Sequence, residues 1–295
     1  MGWVGASVAI STLHAGLARD LMLCDVRAAV AEGEAMDLAH GAPYYPRATV
    51  RAVGLDEIAS ADVVVIAAGR GGAPDESRLQ LLRDNVAIAR SIGARLVAFR
   101  GVVVCVTNPV DVFTHAVLEA SGLPPSRVIG TGTTLDTARL RQVLARELVI
   151  DARSIHAQVV GEHGDSEVAL FSSATVGGAR LRARPAWSRE RERRLAEEVR
   201  RAAYEIIRRK GSTNHAIGLA TANLLRAIVR DERRVLTVSR LQDGALGVRD
   251  VVLSLPTMVD ASGAGEVIEP ELDDEERAGL ARSTEVLRRA TASVI

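Results

Sequence analysis

Little in this sequence points to a disulfide framework, a metal site or a charged partner. Two cysteines in 295 residues, Cys24 and Cys105, both inside apolar runs, read as buried, inert thiols of a chain kept in a reducing cytoplasm. The six histidines and those two cysteines show neither H-x-x-x-H nor C-x-x-C spacing, so no metal is expected. Lysine is nearly absent: Lys210 stands alone and every other cation is arginine, a codon-usage bias from which no function is drawn. The 37 basic residues are matched by 37 acidic ones, and a formal charge of zero provides no field for a nucleic acid or an anionic membrane. No run of 18 apolar residues is present to span a bilayer, and no signal peptide is expected of a chain that opens on a glycine-rich turn. Aliphatic residues are plentiful instead. Hydrophobic residues make up 47% of the chain, ample for a sizeable core in about two domains.

The opening Gly2-Trp3-Val4-Gly5 runs into a helical pattern, and a short apolar strand follows at 20–25. Gly2 and Gly5 have the spacing of the last two glycines in G-x-G-x-x-G, and Asp25 falls 20 positions after Gly5 at a strand end. In that motif the acidic residue accepts from the adenosine ribose hydroxyls and repels a 2′-phosphate, which favours NAD over NADP. The apolar strand that leads into the first glycine of such a unit is missing here, so either the start was assigned too late or the sequence is truncated, and a chain from Met1 is expected to be poorly stable.

A helix over 30–41 ended by Gly41, a weak strand at 49–53 and strong apolar strands at 61–69, 102–107 and 128–132 complete the first half. Continuous apolar strands separated by helices predict a parallel sheet covered on both faces. From Thr133 the character changes. A helix carrying Asp136 and Arg139 is followed by a strand with His156, a turn at His163, a strand at 167–176, charged helical sequence at 184–210, a helix at 214–230, strands at 235–239 and 251–256, and a last helix at 273–292. The fold class expected is α/β: a Rossmann-type doubly wound parallel sheet lacking its first strand, over 1–131, then an α+β domain over 132–295.

Chemistry concentrates in residues 159–168, V-V-G-E-H-G-D-S-E-V, where His163 lies between two glycines. Histidine alone titrates near neutrality unperturbed, so it gives and takes a proton at working pH, and the glycines let backbone or substrate approach. A plain turn histidine at a strand end fits the decapeptide equally well. Asp136 and Arg139, three apart, share a helix face, which taken alone suits a structural ion pair. Residues 70–79, bearing glycine, proline and Arg78, suit a mobile lid or a solvent loop. Asn108 ends a strand at the carboxyl edge of the sheet, where such sheets bind ligands.

Five blocks in order decide among these readings: G-W-V-G with Asp25, G-E-A-M-D-L-A-H-G, D-E-S-R-L-Q-L, V-T-N-P-V-D-V, and L-D-T-A-R with G-E-H-G-D-S. Together they resemble the NAD-dependent L-lactate/malate dehydrogenase family over essentially the whole chain. The resemblance implies that His163 exchanges the substrate proton, that Asp136 holds its other ring nitrogen, and that Arg139 binds the substrate carboxylate with a planar fork. It implies that Arg78 closes with the lid and polarises the carbonyl, with Asn108 and Thr213 lining the substrate pocket. Gly2, Val4, Gly5, Asp25, Gly69, Asn85 and Asn108 are the expected cofactor contacts.

The implied reaction is reversible hydride transfer between NADH and pyruvate, giving L-lactate. Malate chemistry, or NAD binding without turnover, stays open at this point. The residue six before the lid arginine, usually glutamine for lactate and arginine for malate, is Gly72 here, which leaves the substrate in question. Resemblance further implies a homotetramer and a fructose 1,6-bisphosphate site at Arg141 and His156, although two ordinary surface cations would read the same.

Overall fold

The computed structural model describes residues 1–71 and 78–294, with Arg78 described by its backbone alone. In chain order the first half runs α1 (Trp3–His14), β1 (Asp20–Leu23), α2 (Ala28–His40), β2 (Thr49–Ala52), β3 (Val63–Ile66), α3 (Arg78–Gly93), β4 (Val102–Cys105), α4 (Val110–Ser121) and β5 (Val128–Gly130). The second half runs α5 (Thr134–Leu148), β6 (Ile155–Val160), β7 (Val168–Val176), β8 (Ala179–Arg180), α6 (Arg189–Lys210), α7 (His215–Val229), β9 (Arg234–Asp243), β10 (Arg249–Asp260), β11 (Gly263–Val267) and α8 (Asp274–Ala292).

β3, β4 and β5 pair in parallel, with Val63 opposite Val102 and Val103 opposite Val128. Every residue of β4 is buried, as befits a β-branched strand covered by helices on both faces. The sheet then departs from the all-parallel expectation. Its order is β11-β10-β9-β5-β4-β3, because Gly130 pairs with Ser239 and the antiparallel ribbon of the second half extends the sheet of the first. A short turn through Gly244 and Gly247, both at positive φ, joins β9 to β10 directly, whereas parallel neighbours would need a crossover helix.

β1 and β2 form a separate two-stranded parallel sheet. Among the described residues no strand pairs β1 with β3. Helix α1 spans the interval: Val8 packs into the cluster of Val102, Val104 and Ile129, while Ala9 and Leu13 pack with Leu23, Ala35 and Leu38. Gly218 of α7 allows the close approach of these helices, since a Cβ there would lie 2.5 Å from the Ser7 carbonyl.

The third layer is the antiparallel β6-β7-β8 sheet. Leu140, Val143 and Leu144 of α5 pack on Ile155, Ala157 and Val159 of β6 and on Phe171 and Leu195. Each fully buried leucine of this set contributes about 1.5–3 kcal/mol of transfer free energy. A capping box of Asp273 and Glu276 starts α8, and Glu276 Oε1 also accepts from the Phe171 and Ser172 N–H groups at 2.9 and 3.0 Å. Farther along α8, Ser283 Oγ accepts from the Glu162 N–H at 2.7 Å, which ties the helix to the turn before His163.

Candidate active site

Asp136 lies in the first turn of α5, where the helix dipole favours a carboxylate. That turn is fastened to β6 by two threonines: Thr133 donates its hydroxyl to the Val159 carbonyl at 2.5 Å, and Thr137 Oγ1 accepts from Val159 N–H at 2.9 Å. Three residues beyond Val160, the turn places His163 Nδ1 at 2.5 Å from Asp136 Oδ2, while Arg139 Nη1 donates to Asp136 Oδ1 at 2.8 Å. Asp136 is 2% exposed and His163 22% exposed. An ionised Asp136 only accepts, so Nδ1 carries the proton and Nε2 is the ring nitrogen left for chemistry.

Burial opposes charge on His163, but Asp136, by charge and hydrogen bond, and then Asp111 outweigh it and raise the imidazole to about 9. Burial likewise favours a neutral Asp136, yet His163 and Arg139 together hold its carboxyl below the ordinary range. The imidazolium is therefore the resting form at neutral pH. The Asp136 bond uses one terminal nitrogen of Arg139, and its Nε–Nη2 edge has no partner among the described residues, an edge shaped for a second carboxylate.

Two acidic residues near this pair carried no role in the sequence. Asp111, in the first turn of α4 and 3% exposed, accepts from the His163 backbone N–H at 2.9 Å and from the Ser239 hydroxyl. Glu167 is 7% exposed, and burial, then the charge of Asp136, push it up to about 8. Neither has a local pattern to announce it: Asp111 matters through its bonds to β9 and the His163 turn, and Glu167 through its burial near the Asp136 charge. The D in V-T-N-P-V-D-V was the one available signal.

At the opposite edge, Asp25 follows β1 and accepts from the Arg27 N–H at 2.9 Å and from the Met1 amino group. The N-terminus of α1 has no side-chain cap and no acidic residue in its first turn, and a Cβ on Gly2 would meet nothing within 4 Å. Gly69 is tightly enclosed, since a Cβ would lie 2.5 Å from Thr107 Cγ2. Beside it, buried Asn85 accepts from the Arg70 N–H at 3.0 Å and donates to the Asn108 carbonyl at 3.3 Å, joining the ends of β3 and β4. Arg70 is ion-paired with Asp84 through Nε at 2.8 Å.

Thr213 lies in the α6–α7 connection, next to Asn214, whose amide donates to Ser7 Oγ of α1 at 2.9 Å. Among the described residues Thr213 makes no hydrogen bond to the histidine cluster. Arg141 donates through Nε to the Ala157 carbonyl at 3.0 Å, one residue from exposed His156 on β6. Gly72 and the rest of the expected lid, 72–77, lie outside the described residues, as does the Arg78 side chain. The structure thus gathers His163, Asp136 and Arg139 at one place, and Asp25 with the α1 N-terminus, and Gly69 with Asn85 and Asn108, at the sheet edges.

Residues 1–130 match the lactate/malate dehydrogenase NAD binding domain, and residues 133–295 match the lactate/malate dehydrogenase alpha/beta C-terminal domain. The chain belongs to the lactate/malate dehydrogenase family. It is 43% identical to the L-lactate dehydrogenase of Kosmotoga olearia, with 100% of this chain and 94% of that one covered. Identity to the L-lactate dehydrogenase of Salinibacter ruber is also 43%, over 99% of this chain and 95% of the relative. The minor L-lactate dehydrogenase of Enterococcus mundtii in its ligands-bound form superposes with a TM-score of 0.97 at 38% identity, covering 100% of this chain and 96% of that one. Its ligands-unbound form gives a TM-score of 0.90 at 36% identity, covering 99% and 95%.

The α/β architecture and NAD as cofactor are those of this dehydrogenase family. The residues present fit that cofactor. An uncapped helix start beside an open glycine suits a pyrophosphate, and a carboxylate already accepting hydrogen bonds at a strand end suits a ribose diol. No helix among the described residues is long and apolar enough to cross a membrane, and no group of His, Cys, Asp and Glu among them has the arrangement of a metal site.

Proposed function

We propose that the chain is an L-lactate dehydrogenase that interconverts pyruvate and L-lactate, with His163 as the proton donor and acceptor. The observation that carries this reading is the arrangement of His163 and Arg139 on the buried Asp136, which presents an imidazolium and a guanidinium edge together. NADH, when bound, supplies the hydride. His163 protonates the carbonyl oxygen through Nε2, and Asp136 fixes the tautomer and stabilises the charged ring. Arg139 takes the substrate carboxylate on its Nε–Nη2 edge, Arg78 polarises the carbonyl, and Asn108 and Thr213 line the pocket. Gly2, Val4, Gly5 and Asp25 hold the adenosine and pyrophosphate end, with Gly69, Asn85 and Asn108 towards the nicotinamide. We place the division between the nucleotide and substrate domains at 131/132.

Pyruvate is favoured over oxaloacetate. A second carboxylate in a closed pocket needs a partner charge, because leaving it unpaired costs several kcal/mol, and Gly72 provides none. Arg70, the nearest alternative in sequence, is engaged by Asp84. Glycine instead of glutamine enlarges the pocket, so longer 2-oxo acids such as 2-oxobutyrate are tolerated, each methylene altering transition-state binding by about 1–3 kcal/mol at most. The test follows NADH absorbance with pyruvate and then oxaloacetate: a higher kcat/KM for pyruvate is expected, and a ratio above one in favour of oxaloacetate overturns the assignment. Gly72→Arg is expected to raise oxaloacetate turnover.

Fructose 1,6-bisphosphate is the proposed effector, at Arg141 and His156 in a homotetramer. Burial and then the charge of Arg234 hold the Arg141 guanidinium below its usual value, so a phosphate would relieve a cation pair. An unchanged pyruvate saturation curve on adding the bisphosphate would refute the effector, and sedimentation tests the tetramer. Free thiols at Cys24 and Cys105 suit a cytoplasmic location.

A further inference from the structure

Asp111 has a place in the structure that the chemistry above does not use. One oxygen accepts from the backbone N–H of His163 at 2.9 Å and the other from the Ser239 hydroxyl. Ser239 Oγ lies 3.1 Å from Ser254 Oγ, which accepts from the Thr133 N–H at 3.0 Å, at the start of the helix that carries Asp136. Ser254 also pairs through its backbone with Gly161, two residues before His163, in bonds of 2.8 and 3.0 Å. One buried chain of hydrogen bonds therefore fixes both members of the His163–Asp136 pair, and it begins three residues after Asn108.

We propose that Asp111 is a positioning residue for the proposed acid: from the first turn of α4 it holds the backbone of the His163 turn and sets a second negative charge behind the imidazole. This rests on His163 being the group that exchanges the substrate proton. Asp111 acts through that histidine and does not touch substrate. Its charge joins that of Asp136 in favouring the imidazolium, against burial and against Arg139. Other charged groups face the same place: Glu162 in the turn itself, Glu167 at the start of β7, and Arg200 of α6, which opposes Glu167. Burial pushes Asp111 up to about 6, opposed by its bonds from Ser239 and the His163 N–H. Its negative charge is thus present at neutral pH and fades in mild acid.

Asp111→Asn separates charge from geometry. The amide oxygen can still accept from the His163 N–H and the amide nitrogen can donate to Ser239, so both bonds persist while the charge is lost. The expected result is a downward move of about one pH unit in the alkaline limb of kcat/KM for pyruvate, the usual order for removing a nearby opposite charge. Asp111→Ala, which loses the bonds too, is expected to lower kcat by roughly 10–100-fold with the KM for NADH little changed, as for a misplaced general acid. An alkaline limb that stays in place in Asp111→Asn overturns the proposal. If Asp111→Asn does not fold, the alkaline limb of Asp111→Ala takes its place: that variant also removes the charge, its limb should fall likewise, and an unmoved limb overturns the proposal. NMR titration of the His163 ring needs no turnover and keeps the two readings apart. A lowered ring pKa in Asp111→Asn, with no 2-oxo acid reduced by the native chain, upholds Asp111 and refutes the functional reading; an unmoved ring pKa in an active enzyme does the reverse.

Discussion

The proton-transfer end and the cofactor edge are held together in different ways. At His163 the ties are buried or part-buried: Asp136, Thr133, Thr137, Asp111 and Ser239 come from α5 and its N-cap, α4 and β9, and each polar group satisfies another. At Asp25 the ties are to Arg27, whose side chain is 74% exposed, and to the chain's own first residue. A group that must hold one geometry while it gives and takes a proton is fixed from several elements. A group that must exchange partners for a ribose sits at the edge, its pair with the exposed Arg27 side chain worth about 0–1 kcal/mol.

This contrast orders the expected effects of substitution. His163→Gln, or Asp136→Asn, removes the acid or its stabilising charge and should lower kcat for pyruvate reduction by roughly 10²–10⁴-fold, read from NADH consumption at saturation. Next is Arg139→Lys, which keeps charge but not the planar fork. Losing a charge-assisted hydrogen bond of about 1.5–3 kcal/mol should raise the KM for pyruvate by roughly 10–100-fold, with a smaller change in kcat. Asp25→Asn should raise the KM for NADH by about 3–10-fold and narrow the preference over NADPH, measured by parallel titrations of the two cofactors. Arg27→Ala should change NADH binding less than about threefold. If Asp25→Asn proved as damaging to kcat as Asp136→Asn, the contrast between the two ends would fail.

Much of the site could be read in the sequence because its members come in local groups. Asp136 and Arg139 lie one helical turn apart, and His163 stands in a glycine turn after an apolar strand, so spacing made them candidates and the resemblance of the surrounding blocks gave them roles. Asp111 and Ser239, 128 residues apart, were invisible for the same reason: their bond exists only once β9 lies beside β5. The fold followed the same rule. Apolar runs gave β3, β4 and β5 and their parallel pairing, whereas the antiparallel extension through β9, β10 and β11 depends on Gly130 accepting Ser239 as a neighbour, where a Cβ would lie 3.0 Å from that of Ser239. Strand identity is local; strand partnership is not.

The charge state of His163 decides whether this arrangement is a catalytic acid. Its pKa in the folded chain, about 9, is above the ordinary value of about 6.5, so its stabilising contribution is complete below pH of about 6.5 and is lost as pH rises through about 9. Reduction of pyruvate needs the imidazolium and oxidation of lactate the neutral ring. The most direct measurement is the pH dependence of kcat/KM for pyruvate in the native chain and in Asp136→Asn. A native profile level through neutrality and falling above a pH of about 9, with the fall displaced to lower pH in the variant, is the expected result. A native fall centred at the ordinary histidine value, or a variant profile identical in shape, would contradict the assignment of His163 and Asp136 as the proton-transfer pair.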